Sequence, residues 1–250
     1  MKTTTRALAA IVLLFAGVFA AGCTMKDGDE TEKDDVQTEM DDVETESECE
    51  EITDVVWVDL GLPSGLLWAD RNVGADTPEE YGDYCAWGEK GMKEVYNFNY
   101  YGYCVGYFDK LTKYCNNPEY GNDGFTDTLT TLQPEDDVAR QRYGGKAHVP
   151  TKQEWQELID NTTYEWAEQD GVAGYLFTSM KNGSTLFLPA AGGHWDNWFD
   201  EDGSYGYYWS SSLDPDDPAY ALRCSFNPDT VGVQGDERAA GFTVRAVQRR

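Results

Sequence analysis

Gly203-Ser204-Tyr205-Gly206-Tyr207-Tyr208-Trp209-Ser210-Ser211-Ser212 is the stretch around which the chain is organised. It sets three tyrosines and a tryptophan between glycines and a run of serines. Large aromatic side chains favour a pleated, half-buried surface, and glycine and serine mark its ends, so the stretch reads as a strand. Its neighbours, His194 to Phe199 and Asp214 to Phe226, are also rich in aromatic and polar residues. No catalytic motif accompanies them. The serines lack a Gly-x-Ser-x-Gly elbow, and His194 is far from any marked Ser or Cys motif with which to form a triad. The stretch therefore reads as the scaffold of a binding face. Tyr208, Trp209 and Phe226 are expected in the core, and Ser210 to Ser212 to close the strand. The candidate contacts are Tyr205 and Tyr207 on the strand, His194, Trp195, Asp196, Asn197 and Trp198 before it, and Asp214, Asp216, Asp217 and Tyr220 after it.

Working outward, Gly174–Thr178 and Thr185–Pro189 alternate as strands around Lys181-Asn182-Gly183-Ser184, and Asn-Gly between strands is a hairpin signal. Ala219–Phe226 and Gly241–Val247 read as further strands. The clearest helix runs from Thr151 to Ile159. Pro150 precedes it, Thr151 caps it, and Glu154 completes a capping box. Trp155, Leu158 and Ile159 share its apolar face. A weaker helix or turn is expected near Tyr164 to Asp170. At the start of the domain, Val55–Leu60 and Leu66–Ala69 flank a Gly61–Gly65 turn and predict a hairpin. Tyr84–Gly88 reads as a buried strand. Lys90 to Tyr120 lacks periodicity and reads as a long surface excursion pinned by Cys104 or Cys115. Gly121 to Asp137 fails the EF-hand spacing, with Glu119, Gly121 and Thr130 at the first, third and last ligand positions. A solvated acidic loop is the better reading there, with a non-EF calcium site on Asp123, Asp127, Asp136 or Asp137 as the alternative. The whole is a mixed α+β domain with antiparallel pairing, and no metal or cofactor is expected.

The first residues do not belong to that domain. Lys2 and Arg6 form a basic start, Ala7 to Ala20 an apolar run, and Ala20-Ala21-Gly22-Cys23 resembles a bacterial lipobox. Cleavage before Cys23 and lipidation of that residue follow, so residues 1–22 read as a signal peptide. Residues 23–54 crowd Asp and Glu against Lys26 and Lys33 and have no aromatic residue. Such a segment cannot bury enough surface to fold and reads as an extended acidic tether. Residues 55–250 are the folded domain. The formal net charge of −27 argues against a phosphate-binding basic surface, and no nucleic acid is expected as a partner. Beside Cys23 stand Cys49, Cys85, Cys104, Cys115 and Cys224, an odd set whose pairing the spacing leaves open. No pair is spaced as C-x-x-C, and only His148 and His194 could join a zinc site.

Several ordered motifs resemble one family. Asp59-Leu60-Gly61-Leu62-Pro63-Ser64-Gly65-Leu66-Leu67-Trp68-Ala69, Asn72-Val73-Gly74-Ala75, Pro78-Glu79-Glu80-Tyr81-Gly82-Asp83-Tyr84 and Ala86-Trp87-Gly88-Glu89 form its first half. Asp136-Asp137-Val138-Ala139, Gly144-Gly145, Val149-Pro150-Thr151 with Glu154, Phe187-Leu188-Pro189-Ala190-Ala191-Gly192, Gly206–Ser212 and Gly241–Val247 complete it. Together they resemble the Fibrobacter succinogenes major paralogous domain of exported Bacteroidetes lipoproteins, over roughly residues 55 to 248. The resemblance implies a C-type-lectin-like fold, akin to the formylglycine-generating enzyme domain, whose small antiparallel sheets present a variable face. His148 departs from the family's usual Arg-Met before Pro-Thr and implies a local packing change. The C-terminal segment also resembles variable regions diversified by retroelements in Bacteroides, with Gly193–Trp198, Asp214–Asp217 and Asp229–Ala240 between framework residues.

These readings combine into an outer-membrane lipoprotein displayed on the cell surface, a binding and adhesion module for a protein or glycan ligand, without enzymatic activity. Formylglycine chemistry would need reactive cysteines at its site, and the C-terminal half holds Cys224 alone. A structural part of fimbriae or the outer membrane is the alternative, and a carbohydrate-active enzyme the second alternative.

Overall fold

The computed structural model describes residues 55–200 and 203–250. The signal peptide, Cys23, Cys49 and the acidic tether lie outside the described residues. In chain order the elements are β1 (Trp57–Asp59), β2 (Leu66–Ala69), α1 (Val138–Tyr143), α2 (Lys152–Asn161), β3 (Thr162–Gln169), β4 (Val172–Ser179), β5 (Thr185–Pro189), β6 (Gly193–Trp195), β7 (Trp198–Asp200), β8 (Gly206–Leu213), β9 (Tyr220–Asn227), β10 (Thr230–Glu237) and β11 (Val247–Arg249). Short 3-10 turns stand at Phe98–Tyr100 and Asn122–Gly124. The strands form small antiparallel sheets, ordered β1-β2-β11, β10-β9-β8, β3-β4-β5 and β6-β7. The architecture is α+β, as dominant strand signals with one clear helix and antiparallel hairpins predict. No helix among the described residues is long and apolar enough to cross a membrane.

The first hairpin forms as expected, with Val58 opposite Trp68. β11 closes the other side of β2, Val247 facing Trp68, so the two ends of the domain share one sheet. The Asn-Gly hairpin also forms, with Leu176 opposite Phe187. α2 starts on the capping box: Thr151 Oγ accepts from Glu154 N, and Glu154 Oε2 accepts from Thr151 N at 2.8 Å. Trp155 and Leu158 are fully buried, and Ile159 packs half-buried beside them.

β8 holds two cores apart. Tyr208 faces α2, Trp68, Tyr175 and Phe226, whereas Trp209 faces Trp87, Phe242 and Val244. Adjacent side chains on a strand point to opposite faces, which divides the apolar residues in this way. Burying each large side chain contributes about 1.5–3 kcal/mol, provided that its polar tip is bonded. Tyr208 Oη donates to Pro189 O at 2.7 Å, Trp209 Nε1 to Cys85 O at 2.8 Å, and Trp87 Nε1 to Ser210 O at 2.8 Å. The serines do not close the strand. The β8–β9 register shifts between Trp209 and Leu213, and the serine backbone turns to other partners: Ser211 N donates to Pro150 O and Leu132 N to Ser211 O.

Several expectations are corrected. The stretch near Tyr164 to Asp170 is not helical; it lies mostly in β3, whose Glu165 and Trp166 pair with Leu176 and Tyr175. Pairing with β4 overrides a weak helical pattern. Tyr84–Gly88 is buried but makes a single bridge, Cys85 to Phe242, in place of a strand. Gly241–Val247 runs mostly as isolated bridges, and its regular strand begins only at Val247. The excursion from Lys90 to Tyr120 is not merely surface, because Tyr96, Tyr101, Leu111, Tyr114 and Cys115 are buried in it. Cysteines do not pin it: Cys85, Cys104, Cys115 and Cys224 are all free thiols. Polar bonds hold it instead. Asp136 accepts from Tyr103 Oη at 2.7 Å, Lys113 Nζ at 2.5 Å and Tyr114 Oη. Fully buried Arg238 donates to Tyr101 Oη and to the carbonyls of Lys113, Tyr114 and Pro218, each at 2.9 Å. Asp136 and Asp137 are thus buried partners and not loop residues in solvent; Asp137 caps α1 by accepting from Arg140 N. Asp127 likewise accepts from the backbone of Tyr114, Cys115 and Leu129. Among the described residues no three acidic, His or Cys side chains gather as metal ligands.

Candidate functional site

The β10-β9-β8 sheet turns one face to α2 and the other outward. Tyr208, Cys224, Phe226, Val231 and Val233 belong to the inner core. Residues one step along each strand emerge on the other side by the period of two. Tyr207 lies opposite Ser225, Ser225 opposite Gly232, and Arg223 opposite Gln234. These residues, with Tyr205 and the β9–β10 turn at Asn227 and Thr230, line a groove of about 290 Å³.

One end of the groove is aromatic. The Tyr205 and Tyr207 rings are parallel to within 5°, with centroids 5.9 Å apart. Tyr205 is 38% exposed. Neither phenol hydroxyl is engaged by a described residue. The Arg223 guanidinium lies 4.5 Å from the Tyr207 ring centre and 5.4 Å from that of Phe242. Such cation–ring stacking fixes its plane. Arg223 Nε donates to Asp236 Oδ2 at 2.8 Å, and Trp195 Nε1 donates to Asp236 Oδ1 at 3.4 Å. Trp195 packs edge-on against Tyr207 and Phe242, both at 5.2 Å. The hydrogen-bond network orients the Gln234 amide so that its oxygen accepts from Ser225 Oγ at 3.1 Å and from both Arg223 Nη atoms at 3.2 Å. At the turn, Asn227 Oδ1 accepts from Asp229 N and Thr230 N, both at 3.0 Å. Burial pushes the Tyr207 phenol up, so it stays protonated and able to donate at neutral pH.

Of the residues expected from sequence, Tyr205 and Tyr207 line this groove, and Trp195 packs beside it against Tyr207. His194 sits behind it, stacked on Phe199 at 4.4 Å and flanked by Tyr84 and Tyr96. Burial pushes its pKa below the ordinary value of 6.5, so the ring is neutral in that aromatic nest. Asp196 and Asn197 form the tip of the β6–β7 hairpin, with Asp196 at a left-handed φ of 58°. Asp196 exchanges backbone bonds with Tyr96 and accepts from Asn97 Nδ2 at 2.8 Å, which docks the tip on the excursion. Trp198 stands 74% exposed beside it. Asp214, Asp216, Asp217 and Tyr220 lie toward the other end of the β9–β10 ribbon, where Tyr220 faces Glu237 and the Asp214 carboxylate lies against Gly235. Asp214 Oδ1 accepts from Asp216 N and Asp217 N, and Asp217 Oδ2 accepts from Tyr120 Oη.

Arg223, Ser225, Gln234 and Asp236 are not among the candidate contacts expected from sequence, although the last two fall in the Asp229–Ala240 segment. Ser225 and Arg223 alternate with buried Cys224 and Leu222 in β9, the strand expected over Ala219–Phe226, and that period is the signal that could have found them. Gln234 and Asp236 lie in β10, which Gly232 and Gly235 disguise as a loop. The chain matches no protein family, no curated protein and no solved structure.

Proposed function

We propose that this chain is a lipid-anchored binding module displayed at the cell surface, with a C-type-lectin-like domain that recognises a protein or glycan through the outward face of β8, β9 and β10. The groove on that face is the observation that carries the reading. Tyrosines supply contact area at low entropic cost, and amide and hydroxyl groups supply adaptable hydrogen bonds. Asp236, the carboxylate beside the groove, is already engaged by Arg223 and Trp195. That favours recognition over acid–base chemistry, which needs a carboxylate able to reach substrate. The lipobox and acidic tether support the anchoring, and the ordered motifs support the lectin-like fold. Retroelement diversification is part of the same proposal: segment Asp229–Ala240 contains β10 and so supplies one wall of the groove.

Binding of the purified chain to intact cells and to glycan arrays tests this. The double variant Tyr205→Ala/Gln234→Ala is expected to lose about tenfold or more in affinity, with the thermal transition kept. Unchanged binding, both in this variant and in Trp195→Ala/Asn197→Ala/Trp198→Ala, would remove the face from consideration. Cys23→Ser is expected to move the protein from the membrane to the soluble fraction.

A further inference from the structure

We infer that the groove takes a neutral saccharide, one sugar unit or a short run of them, seated over Gly232 between the tyrosine pair and the β9–β10 turn. This rests on reading the outward sheet face as the recognition surface. Among the described lining residues Arg223 alone carries a charge at neutral pH, and Asp236 neutralises it at 2.8 Å. The guanidinium is further committed to the Tyr207 ring and to Gln234. An anionic ligand would therefore meet no free cation, in a chain of net charge −27. A polyhydroxyl ligand meets what it needs. The Tyr205 and Tyr207 hydroxyls can donate and accept, and Ser225 Oγ, whose proton goes to Gln234, can still accept. Asn227 turns its oxygen into the β9–β10 turn, which leaves its Nδ2 as a donor. The parallel tyrosine rings offer an apolar wall for the C–H face of a sugar ring.

Size argues the same way. A volume of about 290 Å³ lies at the lower limit of small-ligand pockets, which run from about 300 to 1,000 Å³. A protein ligand would have to bury several hundred Å² outside the groove on each partner. Gly232 provides the open floor: a Cβ built there meets nothing within 4 Å. A side chain at this position would occupy the ligand's space without disturbing the core.

The test uses the full chain with arrays and titrations of neutral hexose and N-acetylhexosamine oligosaccharides, alongside sialylated and sulfated ones. Neutral glycans are expected to bind, and binding is expected to persist at about 0.5 M salt, where exposed charge interactions are screened. Gly232→Leu and Gln234→Ala should each weaken it by roughly tenfold or more, with unfolding unchanged. Three results would overturn the inference: selective binding of acidic glycans, no glycan binding at all, or neutral-glycan binding that Gly232→Leu leaves intact. The broader reading is judged separately, by cells. If Gly232→Leu abolishes cell binding that trypsin treatment of the cells also abolishes, the face is right and the ligand is a protein. If no groove variant alters cell binding, the face itself is wrong.

Discussion

Gly206 shows how much a single residue can hide. In sequence it reads as punctuation at the start of an aromatic strand. In the fold it pairs with Phe226 on β9, and a Cβ built at Gly206 would fall 2.1 Å from that ring. The glycine is present because an aromatic ring crosses its backbone and not because a turn requires it. Gly206→Ala should destabilise the domain by about 1–3 kcal/mol, the usual cost of overpacking. Denaturant unfolding would show a lower midpoint at constant slope; an unchanged midpoint would mean that the Phe226 ring moves aside freely. The paired tryptophans of the β6–β7 hairpin make the complementary point. Trp195 and Trp198 face each other across the register, Trp195 between His194 and Asp196 and Trp198 between Asn197 and Phe199. Yet Trp195 packs on Tyr207 and Phe242 while Trp198 is 74% exposed. Local sequence cannot separate them, because the packing partners come from β8 and the C-terminal segment.

At the scale of elements, α2 is the helix written most plainly, and the structure adds a second function to its cap. His148 Nε2 lies 3.1 Å from Glu154 Oε2, the same carboxylate oxygen that receives Thr151 N. Burial works against protonation of His148, but the bonds and charge of Glu154 outweigh it, with help from the Lys146 carbonyl and Asp137, and hold the pKa above the ordinary 6.5. Burial also works against ionisation of Glu154, but His148 and Thr151 outweigh it and hold that pKa below the ordinary 4.5. A raised histidine pKa contributes stability that is complete below the unfolded value and is lost as pH rises through the folded one. A depressed glutamate pKa contributes stability that is lost as pH falls. The pair therefore contributes most between about pH 4.5 and 6.5. Thermal unfolding of wild type and His148→Gln should differ most in that window, and the difference should narrow as pH rises beyond it. A gap constant from about pH 5 to pH 9 would show that His148 acts by packing alone. α1, β6, β7 and β10 are not read from sequence, and β3 reads there as a weak helix or turn; β3 and β10 are obscured for opposite reasons. β3 is polar on an exposed surface, and β10 carries glycines that lower its strand signal.

The described residues are held by three aromatic-rich cores and by buried cations, with their cysteines as thiols. Burial pushes the Cys85 and Cys224 thiols up to about 12, so neither offers thiolate at neutral pH. Cys104 Sγ donates to Phe98 O at 2.8 Å and Cys115 Sγ to Asn117 O at 3.1 Å. Arg245 is buried with Nε on Asn72 Oδ1 and Nη1 on the carbonyls of Ala69 and Asp70, which ties the last segment to β2. Adding reductant should leave the melting temperature unchanged, and iodoacetamide should reach Cys85 and Cys224 only after unfolding. A non-reduced digest containing any two of these four cysteines in one cross-linked peptide pair would contradict this arrangement.

The sequence by itself determined the α+β class, the first and the Asn-Gly hairpins, the capped helix and the assignment of Tyr208, Trp209 and Phe226 to the core. All of these rest on local chemistry: side-chain period, turn residues and a capping box written within a few positions. It also pointed to Tyr205, Tyr207 and Trp195. Only the tertiary structure decided that these three meet Arg223, Gln234 and Asp236, that His194 belongs to an aromatic nest, and that the long excursion is fastened by Asp136 and Arg238. Those outcomes depend on residues far apart in the chain arriving at one place. No local pattern records which of two equivalent side chains will find a partner there.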